Sequence, residues 1–212
     1  MNNAMFYAWM SQASYLYFNE SKQNLVQTKS DSSLSDALND SNLDKTKGEK
    51  DKYFAKDQAK IFTENYSFVS HQANTDHGMS STVFQSKTDG SYTFAMRGTE
   101  FPSNDLLEDI AGIVASGKAK AQLVDAFHYY KRLTTAEGEK VVYTEAEQKM
   151  MIKFLSDNVW SVPLYSAGAA KDYIDNTLSQ DTGLGEIEKG ATINFTGHSL
   201  GGHLAYSLAE MV

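Results

Sequence analysis

Thr192-Ile193-Asn194-Phe195-Thr196-Gly197-His198-Ser199-Leu200-Gly201-Gly202-His203-Leu204-Ala205-Tyr206-Ser207-Leu208 is the stretch on which the fold turns. Its first five residues are β-branched or aromatic with alternating polarity, which predicts a strand. From His203 onward helix formers dominate, and Leu204, Leu208 and Met211 fall at i, i+4 and i+7, the spacing of one helical face. Between strand and helix stands a serine flanked by glycines, the pattern of a nucleophile elbow. So sharp a turn forces Ser199 into a strained backbone conformation with its hydroxyl at the tip. Gly197 and Gly201 fit because a Cβ at either place would strike the neighbouring strand or helix. The Leu200 N–H, at the helix N-terminus, points to where an oxyanion would develop, and the helix dipole favours negative charge there. His198 and Gly202 complete the elbow, His198 as a residue packed beside the nucleophile. The competing reading is a glycine-rich turn with an incidental serine; the strand before it and the helix after it weigh against that.

Upstream, Gly90-Ser91-Tyr92-Thr93-Phe94-Ala95-Met96-Arg97-Gly98-Thr99-Glu100 supplies a second piece. Ser81-Thr82-Val83-Phe84-Gln85 and Tyr92-Thr93-Phe94-Ala95-Met96 both read as strands, and Thr88-Asp89-Gly90 turns between them, which predicts a hairpin. At its end Arg97-Gly98-Thr99 leaves the sheet.

A strand ending in Arg-Gly-Thr, followed much later by strand-Gly-His-Ser-Leu-Gly-Gly-helix, resembles the class 3 lipases, α/β-hydrolases that cleave carboxylic esters of glycerolipids. The resemblance covers about residues 60–212, and loosely the N-terminal helix. It implies Ser199 as nucleophile, with Thr99 and Leu200 giving backbone N–H groups to the oxyanion hole. It also implies that Arg97 and Gly98 support the oxyanion loop. Asp105-Leu106-Leu107-Glu108-Asp109 is similar to the family's acidic segment after that loop, with Asp105 and Asp109 as its supporting carboxylates. Fungal members carry an aromatic after the first polar residue; this chain has Leu106. The expected fold is a mixed α/β-hydrolase-like sheet flanked by helices. The expected activity is hydrolysis of lipid esters, as a triacylglycerol lipase or esterase, through a serine acyl-enzyme. The alternatives are a phospholipase A1, or a catalytically inactive fragment that binds lipid or a partner chain.

At 212 residues, with 41% hydrophobic and 22% charged, the composition is that of one globular domain. A net charge of −8 argues against nucleic acid or an anionic membrane surface as an electrostatic partner, while leaving contact with a lipid–water interface through apolar patches. The absence of cysteine rules out disulfides. No basic residue marks the N-terminus as a signal peptide, and no apolar run reaches membrane-spanning length. Export by a signal-independent route and cytoplasmic residence both remain open, as does the oligomeric state.

The segment beginning at Met5 predicts an amphipathic helix through Tyr17, with Met5, Trp9, Ala13 and Leu16 on one face packed against the sheet. Residues 20–51 are rich in Ser, Asp, Asn and Lys without sustained period, which predicts a solvated, partly mobile excursion. Glu64-Asn65-Tyr66-Ser67-Phe68-Val69-Ser70 reads as the first strand. Between the two motifs the expectation is mostly helix, with stripes at Leu123, Phe127 and Tyr130, at Met150, Phe154 and either Leu155 or Trp160, and over residues 169–178. Apolar, glycine-bearing residues 110–117 and 159–168 are two candidates for a lid over the site.

A serine hydroxyl needs a general base. In α/β-hydrolases the acid and then the histidine follow the nucleophile in sequence. The histidine after Ser199 is His203, and its place on the first turn of the next helix leaves no room for a substrate carbonyl between ring and hydroxyl. His71, His77 and His128 precede the serine. No histidine pair has metal-ligand spacing, so neither a catalytic metal nor another cofactor is expected. The sequence thus predicts a single, C-terminally incomplete lipase-like domain whose acid and base lie beyond it.

Overall fold

The computed structural model describes residues 3–16, 30–39, 53–98, 118–157 and 164–212. Four strands form one sheet in the order β1-β2-β3-β4: β1 (Tyr66–Gln72), β2 (Ser81–Ser86), β3 (Tyr92–Met96) and β4 (Ile193–Gly197). β1–β2 and β2–β3 pair antiparallel, the latter as the expected hairpin, while β3 and β4 pair parallel with Phe94 opposite Phe195 and Met96 opposite Gly197. The sheet is therefore mixed and flanked by helices, an α/β architecture.

Alternation along the strands feeds two cores. Val83, Phe94 and Met96 face one layer, made by α4 (Lys118–Thr134), α5 (Glu145–Ser156), α6 (Ala167–Asn176) and α7 (Leu200–Ala209). Phe84 and Ala95, one residue out of phase, face the other, made by α1 (Asn3–Ala13), α2 (Asp31–Leu38) and α3 (Lys56–Asn65). Period-2 side-chain geometry makes such a sheet hydrophobic on both faces, so each must be covered by helix. Hydroxyl caps set several of these helices. Thr144 accepts from the Glu147 N–H, and Glu147 accepts from the Thr144 N–H in return, closing a capping box at α5; Ser166 and Ser30 cap α6 and α2.

Several expectations are corrected. The first helix ends at Ala13, and its buried stripe is Phe6, Met10 and Ala13, with Met5 and Trp9 only half-buried. Ala13 and Leu16 are buried as expected, whereas Met5 and Trp9 give way to Phe6 and Met10 because this helix is apolar nearly all round, which blurs its phase. Within the polar stretch 20–51, residues 31–38 form α2, which packs on α3 and β1 and buries Leu34, Ala37 and Leu38 in the core shared with α1. Three apolar side chains with a serine cap were enough to dock a helix in a composition that reads as solvated. Apart from its caps Ser30 and Asn39, the rest of that stretch lies outside the described residues. Glu64 and Asn65, expected in the first strand, close α3 instead. In α5 the buried pair is Met151 and Leu155; Leu155 is one of the expected positions, whereas Met150 and Phe154 sit half-buried at its flank and Trp160 lies outside the described residues. Residues 110–117, the first lid candidate, lie outside the described residues; of 159–168, residues 159–163 do as well.

Candidate active site

β3 and β4 end side by side, and that parallel register builds the site. Because Met96 stands opposite Gly197, the residues that follow each strand, Arg97-Gly98 and His198-Ser199, leave the sheet next to one another. A Cβ placed on Gly98 would lie 2.6 Å from the His198 carbonyl oxygen and 3.5 Å from the Ser199 Cβ. The sequence-predicted partners, a hundred residues apart, thus meet at one point.

Ser199 has φ 56° and ψ −127°, and among the described residues it is the one non-glycine residue with positive φ. An L-residue holds such a conformation only when its surroundings over-determine it. Here they do. A Cβ on Gly201 would strike the Met96 carbonyl and come within 2.9 Å of Arg97 C and Gly98 N; a Cβ on Gly197 would strike the Gly201 carbonyl. The backbones of strand and helix therefore touch directly, and the turn between them has no slack. Gly202 donates to the Ser199 carbonyl at 2.9 Å, and Gly201 to the His198 carbonyl at 3.0 Å, closing the first turn of α7.

Ser199 occupies the N-cap of α7, yet its side chain makes no capping hydrogen bond. Its hydroxyl is exposed rather than spent on the helix end. The Leu200 N–H is a first-turn donor without an intrahelical acceptor, aligned with the positive end of the helix dipole. Thr99, Asp105 and Asp109 lie outside the described residues, so the second oxyanion donor and the acidic segment are not placed.

His198 is exposed, and Tyr15 holds it: the Tyr15 hydroxyl lies 3.3 Å from His198 Nδ1, with the rings edge-on at 6.2 Å. The same hydroxyl crowds the space a side chain at 98 would need. Tyr15 was missed by sequence reasoning because nothing local marks it; it reaches the elbow only because α1 packs across β3 and β4. Between α1 and the end of β4 opens a cavity of about 400 Å³, bordered by Tyr7, Ser11, Tyr15, Thr196 and His198.

Arg97 is buried, and its guanidinium donates to Asn74 Oδ1 while its N–H donates to the Ser80 carbonyl at 3.0 Å. It ties the end of β3 to the loop between β1 and β2. Burial lowers its affinity for the proton, against the opposing influence of Tyr15.

All five histidines are described, and none hydrogen-bonds to Ser199. His71 pairs with Thr82 at 2.8 Å, and burial, helped by the Arg97 charge, drops its pKa to about 4. His77 Nδ1 lies 2.9 Å from Asp125 Oδ2 and its Nε2 3.0 Å from the Tyr165 hydroxyl. His128 Nε2 lies 2.9 Å from Asp181 Oδ2, and its Nδ1 meets the Tyr143 hydroxyl. His203 projects from the first turn of α7 into solvent. The buried His77–Asp125 pair has the carboxylate-to-Nδ1 geometry of a catalytic dyad, and its two members, 48 positions apart, are linked by no local signal. Among the described residues no three His, Cys, Asp or Glu side chains are grouped to hold a metal ion, and no helix is long and apolar enough to cross a membrane.

Comparison of the chain with protein-family models, curated proteins and solved structures finds no match. The geometry of the elbow is what bears on function.

Proposed function

We propose that this chain carries the nucleophile and oxyanion half of a serine ester hydrolase of the α/β-hydrolase kind, acting on lipid esters as a triacylglycerol lipase or esterase. The observation that carries the reading is Ser199 itself. An exposed hydroxyl stands on a left-handed strand-to-helix turn, wedged between glycines, with a helix N-terminus behind it and Gly98 beside it. Such strain is retained where it aims a reactive group.

In this reading Ser199 Oγ attacks the ester carbonyl carbon while its proton passes to a general base. The carbonyl oxygen becomes an oxyanion held by the Leu200 N–H and by Thr99. Collapse of the tetrahedral intermediate expels the alcohol, protonated by the same base, and leaves an acyl-Ser199 that water hydrolyses by the reverse sequence. Since none of the five histidines meets Ser199, we assign the acid and base to residues outside these 212. The cavity against α1 offers room beside the elbow for part of an acyl chain. Phospholipase A1 activity would use the same machinery on a different glycerolipid.

A second reading draws on the histidine placement and on β4 being the outer strand of the described sheet. It is a catalytically inactive module that binds lipid, or pairs with a partner strand along β4. Assaying the 212-residue chain against short p-nitrophenyl esters, and again in the presence of a longer chain carrying downstream sequence, separates the two. Negligible turnover by the chain alone, with Ser199-dependent turnover in the longer protein, is the outcome expected for the hydrolase. Turnover by neither, with no labelling of Ser199 by a fluorophosphonate, would leave the binding module.

A further inference from the structure

The loop of residues 73–80, between β1 and β2, is fastened at both ends to different parts of the fold. On one side it meets α4 twice: the His77 ring lies against the Asp125 carboxylate, and Gln122 Nε2, one turn earlier on α4, donates to the His77 carbonyl at 2.9 Å. The side chains of His77 and Asp125 are 8% and 3% exposed. On the other side the loop grips the end of β3, through the Ser80 carbonyl on the Arg97 N–H and Asn74 Oδ1 on the Arg97 guanidinium. Within the loop, Gly78 donates to the Thr75 carbonyl, Thr75 donates to the Met79 carbonyl, and the Thr75 hydroxyl accepts from the Met79 N–H. It is therefore knit into one unit, and a shift at His77 is carried to Asn74 and Ser80.

Burying an ionisable pair costs desolvation that an apolar contact would avoid. Here the pair sits at the end of the sheet where β3 and β4 release Gly98 and Ser199. We propose that His77 and Asp125 are positioning residues for the Ser199 site, their pair seating the 73–80 loop on α4 so that the loop holds Arg97 and Gly98 against the elbow. The role in catalysis rests on the hydrolase reading; the mechanical coupling does not.

The charge on His77 governs the grip. Facing its ring are Asp125 from α4, Asp76 from its own loop, and the Tyr165 and Tyr173 rings from the α6 side. Across the loop, Arg97 faces His71 on β1. Burial opposes the imidazolium, but the Asp125 hydrogen bond and the Asp125 and Asp76 charges outweigh it, so His77 titrates above the ordinary histidine value. A raised folded-state pKa means that the charged pair contributes fully below about pH 6.5 and is lost as pH rises through the higher value. Above it the neutral ring keeps a hydrogen bond to Asp125 without the charge assistance.

Hydrogen exchange by NMR on the 212-residue chain reads this directly. The Arg97 amide, bonded to Ser80, reports the loop, and the Glu210 amide, bonded to the Tyr206 carbonyl at the C-cap of α7, is the reference. After correction for intrinsic exchange, Arg97 protection should fall on the order of fivefold to tenfold between about pH 6 and pH 9, following the titration of the His77 imidazole resonances, while Glu210 stays level. His77→Gln, and independently Asp125→Asn, should hold Arg97 protection low and flat across that range. A flat wild-type profile, or a wild-type-like profile in either variant, overturns the proposal; the wild-type series decides even if neither variant folds. Failure of the hydrolase reading would appear separately, as absent Ser199 labelling in the longer protein with the Arg97 profile intact.

Discussion

Gly201 rests directly on the carbonyl of Met96, helix backbone against strand backbone with no side chain between. That contact sets how closely α7 approaches β3, and so how sharply the chain must turn at Ser199. Gly201→Ala puts a methyl group into the Met96 carbonyl and within 2.9 Å of Gly98 N, where no flexible side chain can yield. The substitution should cost about 3 kcal/mol, lowering Tm on the order of 10 °C. Gly168→Ala, in α6 with its nearest neighbour 3.9 Å away, serves as the control and should be neutral or stabilising by a few tenths of a kcal/mol. Equal losses in the two variants would refute the close-contact account.

The strain at Ser199 is measurable by relieving it. Glycine adopts φ 56°, ψ −127° without a Cβ penalty, whereas alanine keeps the penalty. Ser199→Gly should therefore be more stable than Ser199→Ala by about 1 kcal/mol, after the greater unfolded-state entropy of glycine is offset. Urea midpoints at constant m-value make the comparison. Equal midpoints would mean the turn is not strained.

His71 makes the fold acid-sensitive. Its pKa of about 4, below the ordinary 6.5, means the folded state holds the neutral ring. The stability this provides is present above pH 6.5 and is lost as pH falls toward 4, a total of roughly 2–3 kcal/mol. His71→Gln should flatten the stability profile between about pH 7 and pH 4. If the variant loses as much stability on acidification as the wild type, His71 is not the group responsible.

Tyr129 buries its hydroxyl in the core beside Phe94, with the Ser70 side chain close enough to act on it but no well-formed hydrogen bond among the described residues. A buried, unsatisfied hydroxyl costs free energy that a phenyl ring does not. Tyr129→Phe should be neutral or stabilising by up to about 1 kcal/mol in chemical denaturation. A loss above about 1 kcal/mol would show that Ser70 bonds the hydroxyl after all.

Much of the site was legible because its signals are local. Strand, glycine-bracketed serine and helix follow one another without a gap, and the hairpin ending in Arg97-Gly98 is equally compact. Their meeting was expected from the resemblance, and the β3–β4 register supplies it. What escaped were contacts between distant segments: Tyr15 on His198, His77 on Asp125, and α2 docking its three apolar residues from a polar stretch. None of these leaves a periodicity or a motif, because each depends on which helix face turns toward which strand.

The sequence by itself determined the elements and the character of the turn: short-range sterics of Gly197, Ser199 and Gly201, and the alternation of Phe84 with Val83 or Ala95 with Phe94. Only the tertiary structure decided the surroundings of Ser199. Parallel pairing of Met96 with Gly197 placed Gly98 beside it, and α1 crossing two strands brought Tyr15 onto His198, its neighbour in the chain. The packing of α4 and the loops fixed His77 and His128 on other partners, and the β1–β2 pairing fixed His71 on Thr82. Backbone conformation is set by neighbours a few residues away, whereas the partner of a side chain is set by close packing among segments that meet only once the chain has folded.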